Sequence, residues 1–159
     1  IEMVNMMSRE NRLRKVLKNA KNEYEYIFID CPPSLNLLTV NSFTAGDSVL
    51  IPIQCEYFAL EGLTQLLNTI RLIQKNLNPG LDLEGIVLTM YDTRLNLSKM
   101  VAEEVRKYFG DKVYETVINR NVRLGEAPSY GQPIISFDIH SSGAMNYMKL
   151  AEEFLNGQK

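Results

Sequence analysis

Tyr26-Ile27-Phe28-Ile29-Asp30-Cys31-Pro32-Pro33 is a run of four apolar residues that ends on a carboxylate and passes into two prolines. Apolar residues without alternation predict a strand buried on both faces, as in a parallel sheet covered by helices. Asp30 then stands where the strand meets solvent, and the two prolines stiffen the loop that follows. One carboxylate is chemically sufficient for Mg2+, which fills its other positions with water and phosphate oxygens. A helix-capping role for Asp30 is the competing reading, since Asp is common where a strand gives way to a loop.

Three further runs have the same character: Ser48 to Ile53, Gly85 to Met90 and Val113 to Ile118. Between them the period changes to that of a helix. Leu13, Val16, Leu17 and Ala20 share one face, as do Leu63, Leu66, Leu67 and Ile70, with Asn78-Pro79-Gly80 closing that second helix. Val101, Val105, Tyr108 and Phe109 form a third stripe that stops at Gly110. A last helix, capped by Ser141 or Ser142, is predicted to bury Ala144, Tyr147, Met148, Ala151 and Leu155. Strands alternating with helices imply βαβ crossovers, hence an α/β fold with a mainly parallel sheet and helices on both faces. The 159 residues read as a single domain.

Composition narrows the function. Seventeen basic and nineteen acidic residues give a net charge of −2, so any contact with nucleic acid must come from a local patch. The longest apolar runs fall well short of the roughly 18 residues that cross a bilayer. Cys31 and Cys55 make no metal or redox spacing, which suits a reducing cytosol. The chain opens on Ile1 rather than Met, so a longer parent protein is expected.

In α/β sheets, ligands bind at the carboxyl ends of strands. Thr89-Met90-Tyr91-Asp92 and Asn119-Arg120-Asn121 end neighbouring runs and can form the floor and wall of a base pocket. Turn chemistry is the alternative for the two asparagines. Tyr57, Phe58 and Leu60 read equally as core residues ahead of a helix. From Arg94 to Arg123, seven basic side chains stand against four acidic ones, a local +3. Such a patch gives nucleic-acid affinity without sequence readout, and a solvated helix face is the alternative for Lys107 and Lys112. His140 stands alone, with neither a nucleophile pattern nor a second His for a metal.

Four blocks in order carry a resemblance. They are Tyr26 to Ser34, Ile51-Pro52-Ile53-Gln54-Cys55-Glu56-Tyr57-Phe58-Ala59-Leu60-Glu61-Gly62, Leu88-Thr89-Met90-Tyr91-Asp92, and Asn121-Val122-Arg123-Leu124-Gly125-Glu126-Ala127-Pro128-Ser129. Together they resemble the C-terminal part of a ParA/Soj-type chromosome-partitioning ATPase of the deviant Walker A class. The resemblance implies a P-loop NTPase-like sheet that lacks its Walker A strand and loop. It implies ATP and Mg2+ as cofactors, with Asp30 on the metal, and nucleotide contacts at Met90, Asn119 and Asn121. DNA contact is implied for Arg94 and Arg123, and a switch or dimer interface for Pro32, Pro33, Glu56 and Tyr57. The implied partners are a second copy, non-specific DNA and a ParB-type protein, in a cytoplasmic, nucleoid-associated setting without membrane. No catalytic residue falls within these residues.

The departures are as informative. None of the nine glycines is followed by Lys, so the phosphate-cradling loop is expected upstream of this chain. Without it, apolar strand faces and edge groups are expected to be uncovered, and the 159 residues alone are expected to be inactive. Asn119 replaces the usual Pro, and Gly125 a common Ser. Two readings remain beside the first: a non-catalytic ParA-like interaction module, and a MinD-type membrane-associated ATPase, whose basic amphipathic tail the acidic C-terminus here does not match.

Overall fold

Residues 8–32, 34 and 36–157 are described by the computed structural model. They gather into two compact units, one of the described residues up to Val49 with Leu63–Glu84, the other of Leu50–Gly62 with residues from Gly85 onward. Two strands, β1 (Ser48–Gln54) and β2 (Asp82–Thr89), are hydrogen-bonded neighbours. They are parallel: Asp82 N donates to Asp47 O at 3.0 Å near their starts, and Cys55 N donates to Thr89 O at 2.9 Å near their ends.

In the first unit, α1 (Arg12–Ala20) packs against α2 (Leu37–Ala45). Buried Asn41 joins them, accepting from Leu13 N at 3.2 Å and donating to Arg9 O and Leu37 O at 2.9 Å each. Asn78, past the end of α3 (Ala59–Asn76), donates to Phe43 O at 2.9 Å and Gly46 O at 2.8 Å, and accepts from Arg14 at 3.0 Å. It therefore ties the turn that closes α3 to the C-terminal end of α2. Helix α2 has no amphipathic stripe to betray it. Asn36 caps its start by accepting from Leu38 N and Thr39 N, and Thr44 folds its hydroxyl back onto Val40 O at 2.7 Å.

The second unit holds β1 and β2 from Leu50 and Gly85 onward, with α4 (Asn96–Phe109), α5 (Val122–Glu126), α6 (Ile134–Phe137) and α7 (Ser142–Gly157). Its core is Ile51, Ile53, Ile86, Leu88, Val101, Val105, Val113 and Ile118. Helix α4 stops at Gly110 (φ 54°, ψ −123°), as expected, and Ser141 caps α7, its Oγ accepting from Ala144 N at 3.1 Å. A Cβ on Gly85 would collide with the Tyr114 ring, so only glycine lets that ring lie against β2.

Three expectations need correction. The run Tyr26–Ile29 is assigned to no strand among the described residues, and Phe28 is 76% exposed. Burial on two faces takes a packed layer on each side, and apolar character alone supplies neither. The run Val113–Ile118 lies parallel to β2 but is not a regular strand. Tyr114 N donates to Ile86 O at 3.0 Å and Ile118 N to Leu88 O at 2.8 Å, so β2 advances two residues while this run advances four. The excess bulges out, and the Glu153 carboxylate accepts the freed amides, Glu115 N at 2.6 Å and Thr116 N at 2.9 Å. Arg106 satisfies the carbonyls, donating to Tyr114 O and Glu115 O at 3.2 Å each. Third, α7 buries Gly143 and Ala144, but Tyr147, Met148 and Leu155 stay exposed because its described packing is against the short helices α5 and α6.

Candidate functional site

In the second unit, three chain segments converge at the carboxyl ends of β1, β2 and the bulged run. They border a half-open pocket of about 600 Å³. Gln54 to Ala59 form one wall, Met90 another, and Leu95, Leu97 and Ser98 at the start of α4 a third. Arg120 reaches the mouth and donates to Glu56 at 2.9 Å, with both side chains half exposed. Ser98 is buried and donates to Cys55 O at 3.3 Å, which fixes the turn after β1. Tyr57 and Phe58 stand edge to face, 5.1 Å between centroids, and each is 75% exposed. They are therefore surface aromatics and not core residues.

Met90 has φ 53°, the left-handed region that a β-carbon disfavours. Its backbone is pinned from both sides: Cys55 N bonds to Thr89 O, and Tyr91 N donates to Ile118 O at 3.1 Å. Strain of this kind persists where surrounding structure over-determines it, and it clusters at ligand sites. Cys55 is buried, and desolvation pushes its thiol up to about 11, against a smaller lowering by Arg106. It is a neutral wall group.

The expected site residues fall in different settings. Asp30 is exposed at the end of its run in the first unit. No group of three metal-binding side chains occurs among the described residues, so a cation at Asp30 would take its other ligands from phosphate and water. The donor type fits Mg2+. Pro32 is exposed, and Pro33 lies outside the described residues. Glu56, Tyr57 and Met90 all line the pocket. Asn119 and Asn121 do not. Asn119 N donates to Asn146 Oδ1 at 3.2 Å. Asn121 caps α5, accepting from Arg123 N at 2.9 Å and donating to Ser142 Oγ at 2.6 Å. Its amide does the turn chemistry that Asn favours. Arg120, between them, is the residue of that segment that lines the pocket, while Leu95, Leu97 and Ser98 are lining residues that the sequence pattern did not mark out.

Arg94 is 83% exposed along its side chain and bidentate to Asp92, at 2.9 and 2.7 Å. Those hydrogen bonds, from the side chain first and then from Arg94 N, hold the Asp92 carboxyl down to about 2. Arg123 donates to Asp138 at 2.9 Å and Glu126 at 2.8 Å, and lies 5.2 Å from the centroid of the Phe137 ring. The local +3 of the sequence is thus offset by carboxylates from outside that stretch: Asp92, Glu56, Glu126 and Asp138.

Parallel strands with intervening helices, and a pocket where the strands end, define an open α/β fold of the P-loop NTPase kind. A family model described as an AAA domain (AAA_31) matches residues 1–83. The sporulation initiation inhibitor protein Soj of Bacillus subtilis is 63% identical over 153 residues, covering 96% of this chain and 60% of Soj. The chromosome partitioning protein ParA of Myxococcus xanthus is 56% identical, covering 98% of this chain and 55% of that protein. Among solved structures, cobyrinic acid a,c-diamide synthase of Mycobacterium smegmatis superposes with a TM-score of 0.80 at 32% identity, covering 99% of this chain and 58% of that one. The cell division ATPase MinD of Pyrococcus furiosus gives 0.74 at 26% identity, covering 92% of this chain and 58% of that one. The chain belongs to the ParA/Soj family of chromosome-partitioning ATPases and spans between half and two thirds of the length of these relatives.

Proposed function

We propose that this chain supplies the base-binding and DNA-facing part of a ParA-type partition ATPase. The observation that carries the reading is the half-open pocket at the strand ends, walled by a strained Met90 and rimmed by the Glu56–Arg120 ion pair. Met90 contacts the nucleotide base, Asp30 holds Mg2+ beside the phosphates, and Asn119 and Asn121 shape the adjoining loop. The phosphate-binding loop comes from outside these 159 residues, which alone do not turn ATP over. ATP bound between two copies favours a homodimer whose interface includes Pro32, Pro33, Glu56 and Tyr57. A second copy doubles a DNA face built on Arg94 and Arg123, and a ParB-type partner stimulates hydrolysis and release. A related synthase of 32% identity was solved with an ATP analogue and magnesium, which supports the same cofactors here.

The reading places the protein in the cytoplasm at the nucleoid, without membrane. No helix among the described residues is long and apolar enough to cross a bilayer. Helix α7 carries Lys149 against Glu152 and Glu153, the wrong charge balance for an anionic lipid surface.

Met90→Asn in the product of the whole reading frame tests the pocket. Asn tolerates the left-handed backbone, so the fold is kept while the apolar wall is lost. Binding of a fluorescent ATP analogue with Mg2+ is expected to weaken about tenfold, from the apolar contact removed. Wild-type affinity in a variant with an unchanged melting temperature would remove the base from this pocket.

A further inference from the structure

We propose that Glu126 and Asp138 form a carboxylate clasp on Arg123 that holds the DNA-facing surface in a low-affinity state until nucleic-acid phosphates replace them. The clasp rests on the reading of Arg123 as a phosphate contact. Arg123 Nε donates to Asp138 Oδ2 at 2.9 Å and Nη1 to Glu126 Oε2 at 2.8 Å, so donors on two edges of the guanidinium are engaged at once. One cation against two carboxylates leaves a local charge of −1 where a polyanion has to approach. Arg94 is neutralised differently, by one bidentate carboxylate, Asp92, which leaves a local charge of zero. Taken together, the two arginines face three carboxylates and present no net attraction to phosphate.

The carboxylates are not needed to aim Arg123. Its guanidinium also lies 5.2 Å from the Phe137 ring centroid, and Phe137 is itself braced by Tyr130 at 5.1 Å. The Arg123 amide is fixed separately by the Asn121 cap. Stacking thus holds the side chain, on a backbone fixed by the cap, while the acids neutralise it. Each carboxylate holds Arg123 through a single hydrogen bond, and a phosphate oxygen accepts from the same guanidinium donors, so one acceptor displaces the other without rebuilding the site. Exposed ion pairs are individually weak, which makes the clasp a threshold and not a block. The side chain of Arg123 is 52% exposed and that of Glu126 43%, so the exchange needs no unfolding.

The test is fluorescence anisotropy with a duplex of arbitrary sequence, using the whole reading frame's product with ATP and Mg2+. Glu126→Gln and Asp138→Asn are each expected to tighten binding about 2- to 5-fold. Glu126→Asp, which keeps the charge, is expected to leave affinity within about 2-fold of wild type. Unchanged or weaker binding by Glu126→Gln, with an unchanged melting temperature, overturns the clasp, and weaker binding would mean the acid orients the arginine. Arg123→Ala separates the two levels. If it leaves DNA affinity unchanged, the phosphate-contact reading falls and the clasp with it; if it weakens binding while the acid variants do not tighten it, only the clasp falls.

Discussion

Glu153 is the side chain whose removal most directly tests why the run after α4 is not a strand. Its carboxylate accepts Glu115 N at 2.6 Å and Thr116 N at 2.9 Å, the amides released where four residues face two of β2. Thr116 is buried and Glu115 is exposed. Glu153→Ala therefore leaves one amide that water can reach and one that it cannot. A hydrogen bond to a charged group contributes about 1.5–3 kcal/mol, and a rehydrated amide recovers most of that, so the expected loss is about 2 kcal/mol. Glu153→Gln keeps one acceptor oxygen and should lose about half as much. Burial raises the Glu153 carboxyl, but the hydrogen bonds from Thr116 and Glu115, with Arg106 nearby, outweigh it and the net direction is downward. A depressed folded pKa means that the stabilisation is complete above the ordinary value of 4.5 and fades as pH falls through the lower one. The gap between wild type and Glu153→Gln, read from urea unfolding midpoints, should therefore be widest near neutrality and close on acidification. A gap that is the same at pH 7 and pH 3, or a loss under about 0.5 kcal/mol for Glu153→Ala, would refute the bulge-satisfying role.

Asn78→Ala strips donors from the carbonyls of Phe43 and Gly46, and should lower the urea-derived stability by about 2–3 kcal/mol. A loss under about 0.5 kcal/mol would mean that water replaces both bonds. Asp92 should titrate at about 2 by NMR and move toward 3.8 in Arg94→Ala, because hydrogen bonds from Arg94 are the leading cause of its depression. Its folded value lies below the unfolded one, so the pair stabilises above about 3.8 and is lost as pH falls through about 2; a wild-type value near 3.8 would dismiss the pair in solution. Cys55, buried and raised to about 11, should resist a thiol reagent at pH 8 while half-buried Cys31 reacts, and labelling of both at equal rates would show that the second unit's core opens readily.

How far the sequence carries depends on what a pattern records. Strand β2 was legible because four consecutive residues, Gly85 to Leu88, are buried together and no alternation was needed. Helix α4 was legible from its stripe and its terminal glycine. Helix α2 was not, because Leu37-Leu38-Thr39-Val40-Asn41-Ser42-Phe43-Thr44-Ala45 has no polar face: its threonines and Asn41 are buried by folding their side chains onto backbone carbonyls. The run Val113–Ile118 has the composition of a strand, yet its register is decided by Glu153, more than thirty residues away, which no local window contains.

The same limit explains the basic patch. Counting charge between Arg94 and Arg123 gives a face that should attract phosphate, but Asp92 and Glu126 just beyond its two ends, with Glu56 and Asp138 brought in by the fold, pair three of those arginines. Lys107 and Lys112, which read as solvated residues, lie outside these pairs. Charge along a chain is therefore a poor proxy for charge at a surface when the surface is built from loops at several strand ends. What survives the folding is the identity of the residues and not their freedom to act. On the proposed reading, a DNA face assembled this way responds to anything that competes for its carboxylates, and Glu126 and Asp138 set its affinity together with the arginines.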